Sequence, residues 1–108
     1  MEDTLVEIGR VNDCPPGSVT DVTVNNVDIA LVNYEGDFYA LNNRCPHRGG
    51  QLGDGELKGS DLICPLHGWD FDVQTGISRY NTLDRVPTYP VTVEDGNIYL
   101  QRSDIPIE

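Results

Sequence analysis

Short segments of alternating apolar and polar residues follow one another along this chain, and clusters of Gly, Pro, Asn and Asp separate them at intervals of about eight to twelve residues. Alternation with a period of two places apolar side chains on one face of a strand. Strands are therefore predicted at residues 4–8, 19–24, 27–34, 38–41, 62–63, 69–73, 91–93 and 98–100. No stretch of about eleven residues has apolar side chains at the 3.6-residue spacing of a helix, so we expect little helix.

The connections between these segments have the composition of tight turns. Asp95-Gly96 is the strongest hairpin signal, because this pair tolerates the positive φ angles that a two-residue hairpin needs. Asn25-Asn26 predicts another two-residue hairpin. Glu35-Gly36 and residues 58–60 predict two further turns, the second of which delivers the chain to Cys64.

The fold predicted from this pattern is all-β, an antiparallel sandwich or barrel with a smaller lobe at about residues 42–73. The chain fits one domain, residues 1–108, and its hydrophobic content of 38% is too high for a disordered chain. Within the lobe, segment 69–73 places its aromatic and aliphatic side chains on one face. Asp70 and Asp72 are therefore expected to face solvent.

Two pairs of metal-binding side chains lie in this lobe. Cys45 and His47 form a Cys-x-His pair, and after sixteen intervening residues Cys64 and His67 form a Cys-x-x-His pair. The chain has three cysteines and two histidines, so only Cys14 is left over, and we expect it to be a free thiol. Thiolates and imidazoles suit zinc or iron–sulfur chemistry and poorly suit calcium or magnesium. The pattern predicts a metal site.

The spacing alone leaves two metals open. Two cysteines and two histidines can hold one tetrahedral zinc ion, although zinc fingers usually keep like ligands together and each pair here is mixed. The same four side chains can instead place two sulfurs on one iron and two imidazoles on another, as in a [2Fe–2S] centre of the Rieske type.

The residues around the four ligands favour the second alternative. The first pair lies in Cys-Pro-His-Arg-Gly-Gly (45–50), and the second lies in Cys-Pro-Leu-His-Gly-Trp-Asp-Phe (64–71). With the aromatic segment before the first motif and Val-Pro-Thr-Tyr-Pro-Val at 86–91, these motifs resemble the Rieske ferredoxin family over nearly the whole chain. The resemblance implies the all-β fold and a third loop, at about residues 80–87, that shields the cluster.

The resemblance also implies one [2Fe–2S] cluster per chain. Cys45 and Cys64 would bind the inner iron, and His47 and His67 would bind the outer iron near the surface. Fixed proline φ angles stiffen such loops, and glycines let backbone N–H groups approach sulfur. The residues expected around the cluster are Pro46, Arg48, Gly49, Pro65, Leu66, Gly68, Trp69 and Pro87.

Two features of the motifs predict a low reduction potential. High-potential Rieske proteins have an extra cysteine in each loop, but residues 48–50 contain none and the second position is Leu66. They also often have a serine where this chain has Trp69, and that serine donates a hydrogen bond to a cluster sulfur. Because fewer hydrogen bonds leave the negative charge on sulfur less stabilised, reduction becomes harder. We expect a potential of about −150 mV, the low end of the Rieske range.

The charge and length of the chain limit its partners. Eighteen acidic residues against seven basic ones give a formal net charge of −11, which argues against nucleic acid and membrane surfaces and favours docking on a basic protein face. The acidic N-terminus shows no targeting signal and no run of about 18 apolar residues is present, so a soluble, cytoplasmic protein is expected. The chain is also too short to include the catalytic domain of a complete Rieske oxygenase.

The function predicted is therefore electron transfer without catalysis. A Rieske ferredoxin would carry one electron from a flavin-dependent ferredoxin reductase to a terminal oxygenase. One alternative is a small Rieske redox subunit of a larger oxidoreductase, such as a nitrite reductase-like complex. Another is a zinc-stabilised interaction module, which would be colourless.

Overall fold

A computed structural model describes residues 4–24, 26–44, 51–65, 69–78 and 85–105 of the chain. These ranges contain ten strands: β1 (Leu5–Arg10), β2 (Val19–Val24), β3 (Val27–Tyr34), β4 (Asp37–Asn42), β5 (Glu56–Lys58), β6 (Asp61–Ile63), β7 (Asp70–Asp72), β8 (Thr88–Tyr89), β9 (Val91–Glu94) and β10 (Asn97–Gln101). The helices in these ranges are three 3-10 turns: Val11–Asp13, Leu52–Asp54 and Arg102–Asp104. The predicted all-β fold is confirmed.

The strands form three antiparallel sheets. The first sheet has the order β1-β10-β9, and the second has the order β2-β3-β4-β8. The third sheet is the meander β5-β6-β7, which lies within the predicted lobe at 42–73. That residues 1–108 form a single domain stays a prediction.

Strand β3 lies between two hydrophobic cores. Its residues Ile29, Ala30, Leu31 and Val32 are all buried, which is expected of a strand covered on both faces. Successive side chains point to opposite faces of a sheet, and here Ile29 and Leu31 pack with Ile98 of the first sheet. Ala30 and Val32 pack into the second core, which extends into the lobe. The second core contains Ala30, Val32, Leu41, Leu52, Leu62, Cys64, Phe71, Val73 and Val86.

The predicted hairpin turns are present where the structure describes them. Asp95 and Gly96 have φ angles of 53° and 80°, and Glu35 and Gly36 have φ angles of 52° and 92°. Val24 pairs with Val27, which leaves a two-residue loop whose second residue, Asn26, has a φ of 66°. Asn25 itself lies outside the described residues.

Several details differ from the prediction. The segments 19–24 and 27–34 are correct at both ends, whereas β1 and β10 extend one or two residues beyond the predicted ends. β5 and β8 are not among the predicted strands, and prolines flank β8 on both sides. Asp70 and Asp72 are half-buried and do not lie fully in solvent. Asp72 accepts hydrogen bonds from the backbone N–H groups of Gln74 and Thr75, at 2.8 and 3.1 Å, so it caps the turn that follows β7.

Candidate metal centre

Cys64 is the one predicted metal ligand that falls within the described residues. Cys45, His47 and His67 lie outside them, as do five residues expected around the cluster: Pro46, Arg48, Gly49, Leu66 and Gly68. Pro65, Trp69 and Pro87 are described. The ligand set therefore stays a prediction, and the described residues are those at which the chain enters and leaves the predicted ligand loops.

The second predicted ligand loop is closed by a backbone hydrogen bond. The N–H of Cys64 donates to the carbonyl of Trp69 at 2.8 Å, directly beyond the paired residues Ile63 and Asp70 of β6 and β7. Only residues 65–68 lie between the two hydrogen-bonded positions. A short loop of this kind, on two paired strands, holds its first residue in a fixed position.

Cys64 fits the role of a metal ligand. Its side chain is 1% exposed, it belongs to the second core with Leu62 and Phe71, and it is not part of a disulfide. Trp69, which is expected around the cluster, is partly buried and packs against the same core. A buried, unbridged thiol at the end of a strand suits soft-metal chemistry. Within the described ranges no group of three His, Cys, Asp or Glu side chains could hold a metal, since three predicted ligands lie outside them.

The first predicted ligand loop also has a closed base. Arg44 and Gln51 form an isolated antiparallel bridge, so residues 45–50 begin and end at paired positions. Asn43, which is 2% exposed, reinforces this pairing. Its carbonyl accepts from the N–H of Leu52 at 2.7 Å, and its side-chain Oδ1 accepts from the N–H of Gly53 at 2.5 Å.

Asn43 also ties the base of the loop to the second sheet. Its own N–H donates to the carbonyl of Asp28 on β3 at 3.0 Å. The neighbouring Asn42 has its N–H bonded to the carbonyl of Pro87 at 2.9 Å, and its side-chain amide donates to the Tyr89 hydroxyl at 3.2 Å. The two asparagines therefore connect the first loop to β3 and to the end of the predicted third loop.

Two glycines allow close packing after the first loop. A Cβ on Gly53 would overlap the carboxylate of Asp21, and a Cβ on Gly55 would overlap the backbone carbonyl of Ile63. Ile63 directly precedes Cys64. The backbone that leaves the first loop is thus in van der Waals contact with the strand that leads into the second loop, and any side chain at Gly55 would separate them.

The carboxylate that covers Gly53 is electrostatically unusual. Partial burial raises the pKa of Asp21 above its ordinary value of 3.8, and the nearby negative charge of Asp54 raises it further. A hydrogen bond from Asn43 lowers the pKa but does not reverse the shift. The negative charge of Asp28 adds a smaller upward contribution.

The end of the predicted third loop is described from Arg85 onward. The N–H of Val86 donates to the carbonyl of Gly76 at 2.8 Å, and the Val86 side chain is buried in the second core. Pro87 is exposed. Residues 80–84 of this loop lie outside the described residues. All three loop bases therefore converge on one core, which contains Leu41, Leu52, Leu62 and Val86.

Residues 4–90 match the Rieske [2Fe-2S] domain family. The chain belongs to this family. A ferredoxin component of the naphthalene 1,2-dioxygenase/salicylate 5-hydroxylase systems of Ralstonia sp. is 37% identical over 102 residues, which cover 94% of this chain and 98% of that protein. The chain is therefore a Rieske-type ferredoxin and has one [2Fe–2S] cluster.

Solved structures share the fold of this Rieske-type ferredoxin. A chain in the complex of reduced oxygenase and oxidised ferredoxin of carbazole 1,9a-dioxygenase superposes with a TM-score of 0.82 at 26% identity, covering 93% of this chain and 94% of that chain. A protein described as an NADH-dependent nitrite reductase small subunit from Mycobacterium tuberculosis gives a TM-score of 0.85 at 19% identity, with 99% and 100% coverage. The second likeness shows the fold alone.

The thiol of Cys14 is separate from this centre. It is free, 1% exposed and packed in the first core, and it accepts a hydrogen bond from the Ser18 hydroxyl at 3.3 Å. This confirms the expectation of a free thiol. Sequence reasoning missed the roles of Asn42, Asn43 and Gly55. The paired asparagines directly before the first motif were the available signal, but their partners come from distant parts of the chain.

Proposed function

We propose that this Rieske ferredoxin carries single electrons from a flavin-dependent ferredoxin reductase to a terminal oxygenase. The observation that carries the proposal is the convergence of three loop bases, one containing the buried thiol of Cys64, on a single buried core. A site that changes oxidation state repeatedly needs ligands that hardly move. The cluster supplies reversible one-electron chemistry, and the chain holds its ligands in place.

The proposed ligands are Cys45 and Cys64 for one iron and His47 and His67 for the other. Pro46, Arg48, Gly49, Leu66 and Gly68 would surround the cluster with the described residues Pro65, Trp69 and Pro87. In this arrangement Cys64 enters the site from β6, and the bridge between Arg44 and Gln51 joins the two ends of the segment that contains Cys45 and His47.

The relatives favour a ferredoxin over the alternative of a nitrite reductase-like subunit. The Ralstonia protein at 37% identity is a ferredoxin component, whereas the nitrite reductase small subunit shares only the fold at 19% identity. On this proposal the protein is an electron-transfer component without catalytic activity of its own. We also propose a cytoplasmic location. Within the described ranges no helix is both long and apolar enough to cross a bilayer.

Iron and sulfide analysis of the purified protein, with its visible spectrum, tests this proposal. We expect two irons and two acid-labile sulfides per chain, a red-brown colour and a potential of about −150 mV. Replacing Cys45 or Cys64 with serine should remove the cluster. The matched control is Cys14→Ser, which changes a free thiol in the other core and should keep the spectrum. Stoichiometric zinc without a visible chromophore would refute the proposal.

Electron transfer is tested by mixing the holoprotein with candidate partners. The reduced protein should pass one electron to a Rieske oxygenase and be reduced again by a flavoprotein reductase, with no substrate oxidation by the ferredoxin alone. The net charge of −11 predicts a partner face that is basic overall, so association should slow as salt rises.

A further inference from the structure

The few basic residues of this acidic chain are unevenly distributed. Residues 38–53 contain two arginines, Arg44 and Arg48, and no acidic residue. Residues 73–93 contain Arg79 and Arg85 and one acidic residue, Asp84. Four of the seven basic residues thus belong to two short segments, and both segments include loops predicted to surround the cluster.

Arg44 lies at the base of the first of these loops. It forms the antiparallel bridge with Gln51, and its N–H donates to the side-chain oxygen of Asn42 at 3.0 Å. The residue is exposed and lines an open polar cleft with Asn26, Asp28 and Gln51. Its backbone is therefore fixed while its guanidinium group lies at the surface.

Arg85 occupies the corresponding position at the predicted third loop. It forms an antiparallel bridge with Ile77, and the next residue, Val86, is anchored in the second core. Arg85 is exposed as well. Residues 78–84, which this bridge closes off, belong largely to the loop expected to shield the cluster.

The sheet brings these two arginines to the same end of the molecule. β4 and β8 pair antiparallel through Leu41 and Thr88, and the hydrogen bond from the N–H of Asn42 to the carbonyl of Pro87 continues this pairing. Arg44 lies two residues beyond Asn42, and Arg85 lies two residues before Pro87. Both therefore lie just beyond the same end of the β4–β8 pair, and Arg44 directly precedes Cys45 in sequence.

The described neighbours do not neutralise these charges. Neither arginine forms an ion pair with another residue in the ranges that the structure describes. Asp28 lines the same cleft as Arg44, and its carboxylate accepts a hydrogen bond from the hydroxyl of Thr23 at 2.7 Å. Among the described residues, therefore, no carboxylate competes with an external anion for either guanidinium group through an ion pair.

We propose that Arg44 and Arg85 form a cationic docking patch, the Arg44–Arg85 patch, which binds carboxylate groups of a redox partner protein beside the cluster. Guanidinium groups bind carboxylates in a planar, bidentate geometry that fixes orientation. The acidic body would steer the ferredoxin to a basic partner, and the Arg44–Arg85 patch would orient it on carboxylates within that face. The proposal rests on the proposed electron-carrier function.

The net charge of the protein and the local charge beside the cluster predict opposite effects of salt on the rate of oxidation by a small anion. A net charge of −11 repels an anion, and salt should then accelerate the reaction. A cationic patch at the electron exit attracts the anion within the Debye length of about 8 Å at physiological ionic strength, so salt should slow the reaction. The two cases can be separated without knowing the partner.

The test is stopped-flow oxidation of the reduced holoprotein by tris(oxalato)cobaltate(III), an anion that presents carboxylate oxygens. Each Co(III) takes one electron from the protein and becomes Co(II). We expect the double variant Arg44→Gln/Arg85→Gln to react more slowly by about threefold or more at low ionic strength, and the cationic tris(phenanthroline)cobalt(III) to react no more slowly.

The control variant is Arg102→Gln together with Lys58→Gln, which changes the net charge by the same amount. Arg102 follows β10 of the first sheet, and Lys58 lies at the opposite end of the β5–β6 hairpin from Cys64. Both variants should keep the visible spectrum and the potential of the unsubstituted protein. If both double variants slow oxidation by the anionic complex equally, the docking patch is refuted, because net charge would then explain the rates.

Binding without electron transfer gives an independent measurement. Tris(oxalato)chromate(III) has the same charge and shape and does not exchange electrons with the protein under these conditions. In equilibrium dialysis, the Arg44→Gln/Arg85→Gln variant should lose at least about half of the binding, and the control variant should retain it. Unchanged binding in the patch variant would refute the proposal. Absence of a [2Fe–2S] chromophore in the unsubstituted protein would instead refute the proposed function.

Discussion

The side-chain oxygen of Asn43 accepts a hydrogen bond from the backbone N–H of Gly53 at 2.5 Å, across the base of the first ligand loop. Asn43 directly follows β4 and stands two residues before Cys45, whereas Gly53 lies in the 3-10 turn after the loop. One buried amide therefore holds together the two ends of a loop whose position matters for the cluster. Four predictions concern this base and the two cores around it.

Replacing Asn43 with alanine should destabilise the protein and its loop together. The substitution leaves the half-buried Gly53 N–H without its acceptor, and the loss should lie at the lower end of the about 1–3 kcal/mol that a buried unpaired donor costs. We expect a lower free energy of unfolding and faster bleaching of the visible spectrum in the presence of an iron chelator. Asn12→Ala, at an exposed position in the first 3-10 turn, is the control and should change neither quantity. Equal bleaching rates in both variants would argue against the role of Asn43.

Replacing Gly55 with alanine should be more harmful than a typical glycine substitution. The new Cβ would overlap the Ile63 carbonyl, which is backbone and cannot rotate away. To relieve this overlap, the backbone that leaves the first ligand loop must move away from β6. This movement should lower the free energy of unfolding by about 1–3 kcal/mol. Gly9→Ala is the matched control, because a Cβ there meets only Leu31 at 3.7 Å. Chemical denaturation should show a large loss for Gly55→Ala and a small change for Gly9→Ala. Similar losses would contradict the packing argument.

The sequence predicts the strands and hairpins of this protein better than the contacts at the bases of its ligand loops. The strand at 27–34 is predicted correctly at both ends, and the hairpin at Asp95-Gly96 follows from local turn chemistry. β8 was missed because Pro87 and Pro90 disfavour strands, although prolines are tolerated there since β8 is an edge strand.

The contacts at the loop bases are long-range and leave no local pattern. Nothing in the neighbourhood of Gly55 indicates that Ile63 will pack against its Cα, and nothing near Asn43 indicates Gly53 as its partner. The opposite holds for the cluster ligands, whose residue types and spacing are conspicuous in the sequence. Of those ligands the structure describes Cys64 alone, so the sequence remains the source of the full ligand set.

The two cores should respond differently to the same kind of substitution. Leu62 and Leu100 are both fully buried, and truncation of either to alanine should cost about 2–5 kcal/mol. Leu62 belongs to the core under the loop bases, whereas Leu100 belongs to the core between the first and second sheets. We therefore expect Leu62→Ala to release iron to a chelator faster than Leu100→Ala at equal global stability. The measurement compares chelation rates at temperatures chosen to match the fraction unfolded. Identical rates would mean that the cores do not act separately.

The carboxylate of Asp21 should make stability depend on pH. Its pKa is raised in the folded protein above the ordinary value of 3.8, by partial burial and by the charge of Asp54, with a smaller contribution from Asp28. A raised folded-state pKa favours folding below the ordinary value, and this contribution disappears as pH rises through the folded-state value. At neutral pH the ionised group therefore opposes folding.

Asp21→Asn removes this charge and keeps a hydrogen-bonding side chain beside Asn43. We expect the variant to gain thermal stability relative to the unsubstituted protein as pH rises from about 4 to about 7, with the smallest difference at the acidic end. Asp13→Asn removes one charge outside the Asp21–Asp54 pair and is the control for net charge. Because Asp21 is largely exposed, solvent screening limits the size of the effect, and salt should reduce it further. Melting curves recorded across this pH range measure the difference. If the Asp21→Asn and Asp13→Asn curves run parallel, the repulsion between Asp21 and Asp54 is not what sets the pH dependence.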